Sequence, residues 1–161
     1  LMMELRCLAW GRVLMELVYL FIENFLTKRQ LEKAPFPIPR FQFVDVALLI
    51  SQNEFYLVET PIHGEFRKYI NNRAAVPLDF LDARDTNSAE FLCFAQHIQY
   101  QETFKTLFVS DFQGNDRFLT DPQILTSGEG KQLFADGNVS KGFLNFETDH
   151  RCNAFCKFFE L

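Results

Sequence analysis

LFVSDFQGNDRFLTDPQ, residues Leu107 to Gln123, opens on an apolar run, Leu107-Phe108-Val109, that predicts a short buried strand. The run ends in Ser110-Asp111-Phe112-Gln113-Gly114. Asp111 and Gln113 are two residues apart, so an extended strand points both to one face. Gly114 permits a sharp turn after them. Ten residues beyond Asp111 comes a second carboxylate, Asp121, in Thr120-Asp121-Pro122, where Pro122 biases Asp121 toward extended backbone. Two carboxylates and an amide converging at a strand end suit a hard cation such as Mg²⁺ and leave room for phosphate. The same residue types also build two ordinary turns.

Length and composition set the frame. With 161 residues, 48% hydrophobic and 23% charged, the chain is one domain with a sizeable core. Sixteen Lys and Arg against 21 Asp and Glu give a net charge of −5, which argues against nucleic acid as a partner. Most of the 20 phenylalanines belong in the core. Four cysteines suffice for two disulfides, but only Cys152 and Cys156 cluster, and they do so beside His150. That favours a metal site in a reduced compartment. No secretory signal is visible in LMMELR, and the apolar run Val13 to Ile22 is interrupted by Glu16 and short of a bilayer span. The expectation is a soluble, cytoplasmic protein with no membrane partner. A start at Leu1 without a start signal suggests a fragment.

Along the chain, residues 1–28 carry apolar positions at helical spacing, from Leu5 and Leu8 to Phe21 and Phe25. Thr27 to Arg40 is a polar link whose three prolines forbid a regular helix. Phe41 to Ile50 and Glu54 to Glu59 predict two strands of a hairpin, turning at Ser51-Gln52-Asn53. In Gly64-Glu65-Phe66-Arg67-Lys68-Tyr69-Ile70-Asn71-Asn72, Lys68 and Asn72 are four apart, so a helical turn would place a cation and an amide on one face. Ala74 to Ala89 reads as loop, Phe91 to His97 as helix, and Thr126 to Lys131 as a flexible loop. His150, Cys152 and Cys156 form H-x-C-x-x-x-C. A helix starting near Asn153 presents both thiols on one side, and the fourth ligand of a tetrahedral zinc would be His63 or His97.

SDFQG followed by LTDPQI, together with the terminal HRCNAFC, resembles the alpha-kinase family of atypical Ser/Thr protein kinases. GEFRKYINN resembles that family's G-E-F-x-K-Y-N-N-N, departing at Ile70, and Glu4-Leu5-Arg6-Cys7-Leu8-Ala9 resembles a helix of its N-terminal lobe. The resemblance implies an α+β, two-lobed, protein-kinase-like catalytic domain. It sets a partial N-lobe at 1–58 and the hinge and C-lobe, with a structural zinc site, at 59–161. It implies ATP-dependent transfer of the γ-phosphate to Ser or Thr of a protein partner. Asp111 would orient the substrate hydroxyl or accept its proton, and Gln113 and Asp121 would hold Mg²⁺. Lys68 and Asn72 would steady the ATP phosphates, Thr120 would support the site, and Glu59 would hold adenine through its main chain. The family takes the fourth zinc ligand from A-F-S-H, fourteen residues before the D-x-Q aspartate. Here that position is His97, in F-A-Q-H. Phe134 to Gly142 faces the family's glycine-rich peptide loop, with Ala135 for its first glycine and a deletion near Ser140. The family's early lysine strand would precede Leu1. The alternative to an active kinase is therefore a truncated or inactive fold serving as a zinc-stabilised protein-binding module.

Overall fold

The computed structural model describes residues 1–134 and 140–161. A 27-residue helix, α1 (Met2–Lys28), opens the chain. Two strands, β1 (Gln42–Phe43) and β2 (Val46–Ser51), follow where one was predicted, then β3 (Glu54–Glu59) and β4 (Arg67–Lys68). Next come α2 (Ala83–Glu102), β5 (Leu107–Ser110), β6 (Gln113–Gly114), β7 (Phe118–Thr120) and β8 (Gln123–Thr126). A 3₁₀ helix (Gly128–Leu133) occupies most of the stretch expected to be a loop. Three short helices end the chain, α3 (Ser140–Leu144), α4 (Phe146–Asp149) and α5 (Ala154–Phe158). The glycine-rich resemblance around Ala135 lies largely outside the described residues; Ser140 opens α3. Among the described residues no helix is long and apolar enough to cross a membrane.

The strands form a four-stranded sheet in the order β1-β7-β6-β4 and two antiparallel pairs, β2-β3 and β5-β8. The first predicted strand divides because its ends serve different sheets. Gln42 and Phe43 pair in parallel with Phe118 and Leu119, whereas Val46 to Ser51 pair with β3. The hairpin turns at Gln52 and Asn53, with φ of 50° and 65°, the left-handed pair that a two-residue turn requires.

One face of α1, through Leu8, Gly11, Leu14, Met15, Val18 and Ile22, is buried. Gly11 lets the helix lie close on the sheet: a Cβ there would meet the Phe43 ring at 3.0 Å and Pro122 at 3.1 Å. On the flank of the same helix, Trp10 packs edge-on against Phe134 with centroids 6.0 Å apart. The aromatic core continues through Phe94, which stacks on Phe155 and Phe159 of the α5 region at 5.8 and 5.1 Å.

Helix α2 starts eight residues before the predicted Phe91, inside the stretch read as loop. Asp82 caps it by accepting from Asp85 N at 2.8 Å. Polar residues fill its first two turns, which hides the helix from apolar periodicity. From Phe91 to Ile98 nearly every side chain is buried, because α1, β5 and α5 surround it.

Candidate active site and metal cluster

The register of the four-stranded sheet builds the site. Lys68 lies opposite Gln113, and Gln113 opposite Thr120, so the three side chains form one polar row across β4, β6 and β7. The neighbouring row, Gly114, Leu119 and Phe43, faces the core. Lys68 is thus a strand residue, not part of a helical turn. The next backbone N–H, of Tyr69, donates to Phe112 O at 2.9 Å, so this segment is held to the β6 side. Asn72 follows in a turn, and the expected common helical face with Lys68 does not form.

Asp111 and Gln113 do not share an extended strand either. β5 ends at Ser110, and Asp111 has φ 61°, in the left-handed region. Asp121 has φ 47°, so the extended backbone expected before Pro122 is also absent. For residues other than glycine that conformation is uncommon, and it gathers at functional sites. The kink at Asp111 turns its carboxylate inward, whereas Asp121 stays exposed at the edge of the site. Asp111 is 8% exposed and its Oδ1 lies 2.8 Å from Lys68 Nζ. Gln113 Nε2 donates to Asp121 Oδ2 at 3.1 Å. Burial pushes the Asp121 carboxyl above the usual range, and the nearby charges of Asp111, Glu59 and Glu4 add to it, against Lys68. Carboxylates that repel one another in a partly buried cleft form a site poised for a divalent cation.

A cavity of about 200 Å³ opens beside Asp121, lined by Glu4, Leu57, Glu59, Thr120 and Gln123 among others. Thr120 Oγ1 donates to the Glu59 carboxylate, so two predicted site residues meet there. Glu4 and Gln123 extend the site beyond the residues singled out from sequence. Gln123 Oε1 is buried and makes no hydrogen bond to a described residue. Its only signal was its place in the T-D-P-Q-I resemblance.

Gly114 has φ +150°, and a Cβ there would lie 2.0 Å from the Phe118 carbonyl oxygen. Strands β6 and β7 can approach so closely only with glycine at this point. Gly114→Ala is expected to cost at least about 2 kcal/mol, read by urea denaturation. A variant as stable as the parent would mean that this tight pairing is dispensable.

The second constellation gathers His97 from α2, His150 and Cys152 from the loop before α5, and Cys156 from α5. Their ligand atoms all lie within 4.8 Å of one another. Cys152 Sγ is 3.9 Å from His97 Nδ1, and Cys156 Sγ is 3.6 Å from His150 Nε2. A tetrahedral ion with N and S ligands separates its donors by about 3.3–3.8 Å, so the set fits a metal with little adjustment. The helix starts where the spacing predicts: Asn153 caps α5 by accepting from Phe155 and Cys156 N. Burial lowers His97 and pushes His150 down to about 4, keeping both imidazoles neutral as ligands must be. Burial also pushes the Cys156 thiol up to about 11, so a thiolate there calls for a cation. His63 lies elsewhere; it is exposed, and its carbonyl accepts from Asn115 Nδ2 at 3.0 Å.

The alpha-kinase domain of myosin heavy chain kinase A in complex with AMP superposes with a TM-score of 0.60 at 27% identity, covering 94% of this chain and 58% of that domain. A catalytic-domain mutant of the same kinase gives 0.64 at 26% identity, covering 97% and 56%. The fold is therefore that of a protein kinase catalytic domain, α+β in class. The sequence profile of the alpha-kinase family matches residues 13–156, and the chain belongs to that family. Human transient receptor potential cation channel subfamily M member 7 is 32% identical over 124 residues, 74% of this chain and 6% of that protein. Myosin heavy chain kinase C of Dictyostelium discoideum is 38% identical over 102 residues, 62% of this chain and 12% of that protein. The chain thus spans a small part of these curated relatives and a little over half of the solved kinase domains.

Proposed function

We propose that the protein is a Mg-ATP-dependent Ser/Thr kinase of the alpha type, transferring the γ-phosphate to a protein substrate in the cytoplasm. The observation that carries this reading is the buried Asp111 carboxylate, turned inward by a left-handed kink and held 2.8 Å from Lys68. Phosphoryl transfer asks mainly for positioning and charge compensation. Asp111 orients the substrate hydroxyl and takes its proton. Gln113 and Asp121 form the metal-binding edge, where Mg²⁺ would neutralise charge building on the phosphates. Lys68, with Asn72 beyond it, steadies the phosphates, Thr120 braces Glu59, and the Glu59 main chain takes adenine. The division into an N-lobe part, 1–58, and a hinge and C-lobe, 59–161, goes with this reading. The His97, His150, Cys152 and Cys156 cluster holds a structural zinc closed by four protein ligands. A thiol-and-imidazole set of this kind also supports a reducing compartment.

The test is transfer from γ-labelled ATP to a Ser/Thr peptide library by the intact protein, followed by phosphoamino-acid analysis. Label on Ser or Thr is expected. Label confined to Tyr, or no transfer at all, would remove the assignment.

A second reading, a zinc-stabilised binding module, is favoured by one observation. Among the described residues, Lys68 is the one lysine ion-paired at the site; Lys28 closes α1 and Lys33 lies exposed in the proline-rich link. On this second reading the 161-residue chain binds Mg-ATP weakly, with Kd above about 1 mM by calorimetry. Micromolar binding would mean that these residues already form a complete nucleotide site, and the module reading would lose its support.

A further inference from the structure

Strand β5 ends one residue before Asp111 and, among the described residues, has a single strand partner, β8. Ser127 N donates to Thr106 O at 3.0 Å, which fixes the alternation of this antiparallel pair. With Leu107 opposite Thr126, the hydrogen-bonded positions are Thr106, Phe108 and Ser110. Leu107 and Val109 therefore turn their N–H and C=O groups away from β8, toward α2. No third strand lies on that side among the described residues.

Three α2-side residues take all four groups. Gln96 Nε2 donates to Val109 O at 3.0 Å, and Gln99 Oε1 accepts from Val109 N at 2.9 Å. Thr103 Oγ1 donates to Leu107 O at 2.8 Å and accepts from Leu107 N at 3.3 Å. Positions 96, 99 and 103 follow i, i+3, i+7 and so lie on one helical face. Gln96 and Gln99 are each 0% exposed. In Gln96 the second amide atom, Oε1, is buried without a partner among the described residues, a cost that an apolar side chain would not carry.

We propose that Gln96, Gln99 and Thr103 are positioning residues, a side-chain surrogate for a β-strand that fixes β5 and thereby sets the Asp111 kink against Lys68. The consequence for turnover rests on the kinase reading above; the effect on the backbone does not. Val109 is the last residue that these side chains hold, two before the left-handed Asp111, and Ser110 between them pairs with β8. Gln96 is one residue before His97 in F-A-Q-H. His97 projects from the same helical turn into the metal cluster, which ties the cluster to the strand through one rigid element.

The test compares Gln96→Met, Gln99→Met and Gln99→Glu with the parent by amide hydrogen exchange, bound metal and steady-state kinetics. Glu at 99 keeps an acceptor for Val109 N; Met keeps the bulk but removes the hydrogen bond. Exchange at the Val109 and Asp111 amides is expected to rise at least about tenfold in Gln99→Met and to return near parent in Gln99→Glu, with metal content unchanged. In both Met variants kcat is expected to fall about 10–100-fold at a temperature where they remain folded. KM for ATP should stay within about twofold, as for a group acting on geometry rather than on binding. If Gln99→Met fails to fold, Thr103→Val gives the same readout at Leu107. Parent-like exchange at Val109 and Asp111 would overturn the proposal, as would Met variants that melt earlier with parent kcat. Altered exchange in a parent that transfers no phosphate would leave the clamp standing and remove the kinase reading instead.

Discussion

Asp111→Asn is expected to lower kcat by about 10²–10⁴-fold, the span that removal of a general base commands. Asparagine keeps the shape and tolerates the left-handed backbone at φ 61°, so the fold should hold. Lys68, whose side chain is 39% exposed, can rehydrate when its partner loses charge. Asp121→Asn separates activity from stability more sharply. The Asp121 carboxyl sits above its usual range because burial and neighbouring carboxylates disfavour the charged form. An acid whose folded pKa is raised lowers stability as pH climbs from its unfolded value through its folded one, because the folded state then holds the extra proton. At neutral pH the charge at 121 is therefore a burden on the fold. Asp121→Asn should melt at or above the parent temperature while transfer is lost. The two variants are compared by labelled-phosphate transfer and calorimetric melting at neutral pH. Full activity in either would move the active site elsewhere, and early melting of Asp121→Asn would contradict the electrostatic account.

The metal cluster carries the second large effect. His97→Ala and Cys156→Ala are each expected to lose about one zinc per chain and to melt well below the parent. A structural zinc contributes on the order of several kcal/mol, comparable with the net stability of a whole domain. His63→Ala should keep its zinc and its melting temperature, since its imidazole is outside the cluster. Zinc must displace a proton from the Cys156 thiol, which burial holds near 11, so affinity should fall steadily as pH is lowered. Metal analysis and melting over a pH series read both effects. Retention of zinc by His97→Ala with loss from His63→Ala would mean that the ligand set is wrong.

Local motifs made part of this site legible. D-x-Q-G, T-D-P and H-x-C-x-x-x-C marked which residues to watch, although Asp111 and Gln113 share no strand and Asp121 is not extended as their spacing predicted. Pairings set by long-range register were harder to see. Lys68 reaches Asp111 because β4 lies against β6, and nothing local announces that a two-residue strand will form there. The left-handed kinks at Asp111 and Asp121 were invisible because neither is a glycine. Gln96 and Gln99 were overlooked because amides on a helix ordinarily mark its wet side. Here they face a strand edge that lacks a neighbour, which only the assembled fold reveals. The early turns of α2 were hidden for a related reason. Arg84, Asp85, Asn87 and Ser88 read as loop until Asp82 is recognised as a cap.

Trp10 is the single tryptophan of the chain, and its ring rests edge-on against Phe134. Its indole is 41% exposed, so its emission colour is set by both solvent and that contact. The protein thus carries a native fluorophore at the threshold of the stretch that resembles the family's peptide loop. Titrating a candidate peptide and following the emission maximum would report, without a label, any binding that alters the Trp10–Phe134 contact. Gly11, next to the fluorophore, lies near Pro122, which an added Cβ would meet at 3.1 Å, so a nucleotide titration can be followed by the same emission. The Trp10→Phe variant supplies the blank for both titrations.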